Sequence, residues 1–237
     1  MRAIILAGGK GERLRPFTDD RPKPMVEVLG IPILGYQIQW LKAQGVTHIV
    51  ISCGYRCEVI QEWFNDGQKW GVCIDYSVEE TPLGRGGGIK KAFSMLPAAN
   101  EPLIATNGDI ITNFSLQPVL EEHQRSGALA TIVLTPFVSP YGIVEITEDN
   151  KVTGFREKPT LPYWINGGIY ILSPDVYSYL PDQGDHEDTT FPQLAQQGRL
   201  GSFKIQAFWR AVDTVKDLSE VNQELERRLI GSFLSQD

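Results

Sequence analysis

The sequence predicts an α/β fold with a mostly parallel central sheet, and three observations predict it. Apolar runs at 3–7, 48–53, 72–76, 102–106 and 128–134 have the length and branching of strands buried on both faces. Segments with apolar residues three and four apart separate the first of them, so the chain reads strand, helix, strand, helix, strand. No period of about 20–50 residues recurs, and tandem hexapeptides are absent, which excludes a solenoid.

The first strand, 3–7, runs into Gly8-Gly9-Lys10-Gly11. Glycine tolerates positive φ, and successive amides turned into one concavity form a nest for an anion. Arg13, Arg15 and Lys23, the last held between Pro22 and Pro24, follow closely. A glycine pair alone would only let a strand leave the sheet tightly. Three glycines with these fixed cations describe a phosphate site at the carboxyl end of a strand. Two familiar loops do not fit. Leu14 stands where a dinucleotide fingerprint begun at Gly9 needs glycine, and Gly9-Lys10-Gly11 does not supply the G-K-[ST] of a Walker loop.

Residues 26–32 read as a short strand and turn. Leu34, Ile38 and Leu41 predict a helix over 33–44, ended by Gly45. After strand 48–53, a helix over 58–65 carries Val59, Ile60, Trp63 and Phe64 on its apolar side. His48, alone at the start of its strand, reads as structural. Glu79 to Gly88 reads as a glycine-rich loop that permits close backbone approach, and the helix over 89–96 behind it offers its N-terminus to an anion. Strand 102–106 ends in Asn107-Gly108-Asp109. That tripeptide is good turn chemistry, but an aspartate just past a buried parallel strand also points at the ligand crevice. Its hard oxygens suit Mg²⁺.

A helix over 116–125 and strand 128–134 complete the first half. From Tyr141 the texture changes to shorter antiparallel strands at 142–147, 152–155 and 165–172, with a turn at Glu148-Asp149-Asn150. Short helices at 176–180 and 191–197 and a strand at 200–207 follow. In the last helix Leu218, Val221, Leu225 and Leu229 form one stripe, which reads as core or as the face of a homodimer. Asp213-Thr214 would serve as its N-cap.

The run Gly9-Lys10-Gly11-Glu12-Arg13-Leu14-Arg15-Pro16-Phe17-Thr18, with Pro22-Lys23-Pro24-Met25, resembles the two-part signature of the sugar-1-phosphate nucleotidylyltransferases, or NDP-sugar pyrophosphorylases. Further matches follow in the family's order, so that the resemblance spans residues 4–217. It implies a Rossmann-like three-layer α/β/α domain with a mixed sheet and an inserted sugar-binding lobe. Residues 1–135 would be the nucleotide half, 136–213 the sugar-phosphate half and 214–237 a C-terminal helix. Leu6, Ala7, Gly8, Gly9, Gly11, Glu79, Gly84 and Gly108 would bind the nucleotide. Arg13 would steady the leaving pyrophosphate, Lys23 the phosphates at the reacting centre, and Lys158 the sugar phosphate. Gly142, Glu157, Asn166 and Gly168 would join Lys158 around the sugar phosphate, and Asp109 and Asp213 would hold Mg²⁺.

The resemblance is divided over the base. The N-terminal signature is similar to the guanylyl and thymidylyl branches. Trp209 to Thr214, with Ala211 where many relatives place an aspartate and Asp213 two residues on, is similar to the glucose-1-phosphate cytidylyltransferases, as is Ile165-Asn166-Gly167-Gly168. Arg85-Gly86-Gly87-Gly88 replaces the family's commoner T-A-G-x. The expected reaction joins GTP and mannose 1-phosphate, or a similar sugar, with release of pyrophosphate. CTP with glucose 1-phosphate, UTP or dTTP with another sugar, and a non-catalytic regulatory relative are the alternatives. A glycosyltransferase fits less well, having no triphosphate to cradle.

Composition agrees. The 237 residues suit one α/β domain, and the net charge of −7 argues against nucleic acid as a partner. Apolar stretches are strand-sized, so no membrane span is expected, and the N-terminus enters the first strand with no room for a signal peptide. Cys53, Cys57 and Cys73 are odd in number, lack zinc spacing, and read as core or incidental thiols of a cytoplasmic protein.

Overall fold

A computed structural model describes residues 1–97 and 99–234, with side chains as far as residue 228. The chain lays down β1 (Arg2–Leu6), a small hairpin of β2 (Glu27–Val28) and β3 (Ile31–Pro32), α1 (Ile33–Ala43), β4 (His48–Cys53), α2 (Cys57–Phe64), β5 (Cys73–Val78) and α3 (Gly84–Met95). There follow β6 (Leu103–Asn107), β7 (Ile110–Thr112), α4 (Gln117–Ser126) and β8 (Ala130–Val138). A projecting ribbon of β9 (Ile143–Ile146) and β10 (Val152–Arg156) leads to β11 (Thr160–Leu172), α5 (Thr190–Gln196), β12 (Leu200–Lys204), β13 (Trp209–Ala211) and α6 (Val215–Leu234).

The central sheet has seven strands in the order β12-β8-β11-β6-β1-β4-β5. β6, β1, β4 and β5 are parallel, β12 is parallel to β8, and β11 runs against both β6 and β8. From β1 the chain moves outward through β4 and β5, then returns to set β6 on the other side of β1. Strand order therefore reverses between β1 and β6, the place where open α/β sheets take their ligands.

Alternation along β1 builds the three Rossmann-like layers. Ala3 and Ile5 pack with Leu34, Ile38, Ile60 and Val119 of α1, α2 and α4, while Ile4 packs with Ile89, Ala92, Phe191 and Leu194 of α3 and α5. Burying each isoleucine of this strand contributes about 1.5–3 kcal/mol. A third cluster joins Leu14, Val28, Ile33 and Ile111 to Leu218 and Val221, with Leu225 against it, so the α6 stripe is core as far as it is described. The Leu229 side chain lies outside the described residues. Among the described residues no helix is long and apolar enough to cross a membrane.

Four features differ from the sequence-based expectation. Residues 84–88 are not a loop but the opening turns of α3. Strand 165–172 is the end of a longer, 13-residue β11, which lies inside the central sheet. The short pair β7 and β13 was not foreseen. Cys53 and Cys57 are joined in a disulfide, leaving Cys73 as the free, exposed thiol. The turn from the end of β4 to the start of α2 brings their Cα atoms to 5.3 Å, within bridging range.

Candidate active site

The site is assembled where β1 and β6 end. Leu6 and Asn107 are register partners, and the Gly108 amide donates to Leu6 O at 2.8 Å, so the glycine loop and the Asn107-Gly108-Asp109 turn leave the sheet side by side. A Cβ on Gly108 would stand 2.7 Å from that same oxygen, which is why glycine is needed. Gly11, at φ +68°, touches Lys23 at a distance that admits no side chain, and its carbonyl accepts from Thr18 Oγ1. Leu14 anchors the loop in the third core cluster.

Two small strands bring the acidic pair together. β7 leaves Asp109 and β13 leads into Asp213, with Ala211 opposite Ile110 and the Val212 amide donating to Asp109 O at 3.0 Å. Asp213 is then held by the start of α6. Thr214 caps that helix, and Asp217 Oδ2 accepts from the Asp213 and Thr214 amides and the Thr214 hydroxyl, a reciprocal cap worth about 1 kcal/mol. Capping thus falls to Thr214 and Asp217, and the Asp213 carboxylate is left for the site.

Lys23 Nζ bridges the two carboxylates, 2.5 Å from Asp109 Oδ2 and 2.6 Å from Asp213 Oδ1. Burial opposes the lysine charge, but the two carboxylates outweigh it and raise its pKa. Arg13 adds a second cation at 3.0 Å from Asp213 Oδ1. Gln37, buried on α1 and not anticipated from sequence, donates Nε2 to Asn107 O at 2.6 Å and Ile110 O at 2.9 Å, fixing the turn that carries Asp109.

Three clefts converge on this node. The first, about 340 Å³, is lined by Leu6, Gly8, Gly9, Glu79, Gly84 and Gly108, and reaches Lys23 and Asp109. A second, about 490 Å³, runs from Thr135 past Trp209 to Asp213 and Glu220. The third, about 390 Å³, lies among Lys10, Gly11, Arg13, Lys23 and Asp213. Ala7 differs from its neighbours: its side chain is core and its amide donates to Ser52 O.

In the first cleft Glu79 is rigidly held. Its Oε1 accepts from Ser52 Oγ at 2.7 Å and its Oε2 from the Leu83 amide at 3.0 Å. Gly88 lets α3 pass, since a Cβ there would meet Glu79 and Ser52 at 2.9 Å. Arg85 binds Asp185 at 2.7 Å and Glu187 at 2.8 Å, and Glu187 continues through the Tyr170 hydroxyl to Asn166. Asp185 also accepts from the Arg85 amide, and Gly184 O from the Gly86 and Gly87 amides. The α3 N-terminus is therefore capped by the chain's own loop rather than offered to a ligand.

The remaining candidates, Gly142, Glu157, Lys158, Asn166 and Gly168, line none of the three clefts. Gly168, at φ +65°, abuts the Asn107 side chain, and its amide donates to Asn166 Oδ1. Gly142 lies under Phe155 and Glu157, and Lys158 Nζ is 3.5 Å from Glu220 Oε1 at the wall of the second cleft.

The chain is 39% identical over 225 residues to a mannose-1-phosphate guanyltransferase of Kluyveromyces lactis and 35% identical over 224 to mannose-1-phosphate guanyltransferase beta-A of Xenopus laevis. In each case 92% of this chain is covered, and the chain spans 62% of the relative's length. Crystallised HddC from Yersinia pseudotuberculosis superposes with a TM-score of 0.76 at 28% identity, covering 94% of this chain and 99% of that one. The same protein has been solved with GMP-PN. The nucleotidyl transferase family model matches residues 2–228, a span that takes in every side chain of the three clefts, and the chain belongs to that family.

Proposed function

We propose that the chain transfers the nucleoside monophosphate of GTP to mannose 1-phosphate or a similar sugar 1-phosphate, releasing pyrophosphate. The observation that carries this reading is the node at which Lys23, Asp109 and Asp213 join the three clefts. The first cleft would take the nucleoside, the third the departing pyrophosphate and the second the sugar 1-phosphate. A phosphate oxygen of the sugar attacks the α-phosphorus in line, the bond to the pyrophosphate oxygen breaks, and no covalent enzyme intermediate is needed. Catalysis is then positioning and charge neutralisation.

Arg13 neutralises the departing pyrophosphate, Lys23 holds the phosphates at the reacting centre, and Lys158 orients the incoming phosphate. Gly142, Glu157, Asn166 and Gly168 shape the sugar side. Two carboxylates that already converge on one ammonium have the donor type and spacing for a hard divalent cation. Mg²⁺ held by Asp109 and Asp213 would supply charge neutralisation at the phosphate oxygens. We assign the reaction to the cytoplasm, where nucleoside triphosphates are made.

Glu79 supports guanine. A fixed carboxylate only accepts hydrogen bonds, and guanine alone among the common bases presents adjacent N1–H and N2–H₂ donors to match both oxygens. Each oxygen has one internal donor and keeps acceptor capacity. The names of the curated relatives and the GMP-PN complex of HddC point the same way. The test is pyrophosphate release with Mg²⁺, crossing the four ribonucleoside triphosphates and dTTP with a panel of sugar 1-phosphates. Release is expected with GTP and mannose 1-phosphate or a stereochemical relative. Preference for CTP with glucose 1-phosphate, or silence across the panel, overturns the reading.

A further inference from the structure

His48 is not alone. It opens β4 directly opposite Cys73, the first residue of β5, and Asp75 follows two positions on along the same face. One donor atom from each, a ring nitrogen, a thiol sulfur and a carboxylate oxygen, lies within 4.8 Å of the others. His48 Nε2 and Asp75 Oδ2 are already 2.7 Å apart. Cys73 is free and exposed, and the Asp75 side chain is half exposed, so solvent reaches the group. The nearest formal cation in register, Arg2 on β1, is turned away to the carbonyls of Pro97 and Glu101.

We propose that His48, Cys73 and Asp75 form a second metal site, for a thiolate-accepting divalent ion of the Zn²⁺ class, with water in the fourth position. Nitrogen, sulfur and carboxylate in one set select a borderline ion over Mg²⁺, which prefers an all-oxygen shell. A tetrahedral ion with Zn–S near 2.3 Å and Zn–N and Zn–O near 2.0–2.1 Å needs donors about 3.3–3.7 Å apart. Rotamer adjustment on two strands locked in register closes the remaining gap. Binding releases the Cys73 thiol proton to solvent, so affinity rises with pH. The site sits at the amino ends of β4 and β5, about 16 Å along the strands from the clefts at their carboxyl ends. It would tie the edge strand β5 to its neighbour without touching the reacting groups.

Co²⁺ is the probe, because a sulfur-to-cobalt charge-transfer band appears only where a thiolate ligates. With the Cys53–Cys57 bridge intact, Cys73 is the free thiol among the described residues. The full chain titrated with Co²⁺ should develop the band, lose it on addition of Zn²⁺, and keep it in excess Mg²⁺. Cys73→Ser should abolish it. His48→Ala and Asp75→Asn should each weaken binding at least about tenfold, the lower end of what losing even an outer-shell partner costs. Asp109→Asn should leave the band unchanged, which separates this site from the catalytic pair. Zn²⁺ should also raise the melting temperature of the wild type and not of Cys73→Ser. Absence of the band overturns the proposal. So does a band that survives His48→Ala and Asp75→Asn undiminished, since the ion would then be on a lone thiol.

Discussion

Lys23 Nζ stands 2.6 Å from Asp213 Oδ1, across 190 positions of sequence, and the same nitrogen lies 2.5 Å from Asp109 Oδ2. The lysine thus sits where a divalent cation would bind, between the two carboxylates that would ligate it. The arrangement implies an exchange. With a divalent ion bound, Asp109 and Asp213 would hold it, and the Lys23 ammonium they now share would be free to pair with phosphate.

Lys23→Met separates the two halves of that exchange. Turnover should fall at least about 10²-fold, the scale of losing one preorganised electrostatic group. Without nucleotide, however, binding of a divalent probe such as Mn²⁺ should tighten, because no internal cation competes for Asp109 and Asp213. Calorimetric titration of the variant beside the wild type checks this. Weaker Mn²⁺ binding would show that the lysine organises the carboxylates rather than competing for them.

Gln37 lines none of the three clefts, yet its amide holds the carbonyls on both sides of Asp109. Gln37→Met keeps the volume and removes both donors. Leaving those acceptors unpaired should cost about 1–3 kcal/mol in a urea melt. Turnover should also fall, with a higher Mg²⁺ requirement, because the turn carrying the carboxylate is released. Full activity at unchanged Mg²⁺ demand would mean that Gly108 and Val212 suffice to hold the turn.

These two sites show what was legible in the sequence. The apolar strand 3–7, the glycines at 8, 9 and 11 and the aspartate past strand 102–106 are local patterns, and the residues they single out line the clefts at the ends of β1 and β6. The meeting of Asp109 with Asp213 depends on β7 and β13, three residues each, too short for any periodicity to announce. Gly84, Gly86, Gly87 and Gly88 read as loop residues because glycine disfavours helix. Here tertiary packing overrides propensity: a Cβ on Gly84, Gly86 or Gly87 would stand 2.6–2.7 Å from residues 181–184. The anion expected at that helix terminus is the chain's own Asp185, which sequence order cannot reveal. His48 likewise looked solitary because Cys73 and Asp75 reach it only through strand pairing.

His186 sets a pH limit on the fold. Its ring is enclosed edge-on by Tyr170 and Phe191, and neither nitrogen has a hydrogen-bond partner. Burial, with the nearby Arg85 charge, pushes its pKa down to about 4. The unfolded chain, with an ordinary histidine near 6.5, therefore binds the proton first. Stability is fully present above about pH 6.5 and is lost as pH falls towards 4, by at most about 1.4 kcal/mol per unit. Glu187, raised by burial, shifts in the opposite sense and offsets part of the slope. His186→Phe keeps the aromatic packing and removes the titration, so its denaturation midpoint should change less between pH 6.5 and 4 than that of the wild type. Parallel pH profiles would mean that other groups govern acid unfolding.

On the proposed reading, Glu79 would decide which base the first cleft accepts. Ser52 and the Leu83 amide each donate to one of its two oxygens, which fixes the orientation of a group that can only accept. Glu79→Gln retains shape while turning one acceptor into a donor that would face the N1–H or N2–H₂ of guanine. Hydrogen bonds to a charged partner contribute about 1.5–3 kcal/mol, so kcat/KM for GTP should fall about 10- to 100-fold. Activity with a base that offers an acceptor at the same position, such as cytosine at N3, should fall less or rise, narrowing the preference from both sides. KM should carry most of the GTP loss, because the base is distant from the reacting phosphorus and is held equally in ground and transition states. A loss confined to kcat would instead assign Glu79 to the alignment of α3 and β1, through the close approach at Gly88, and would remove the carboxylate from base recognition.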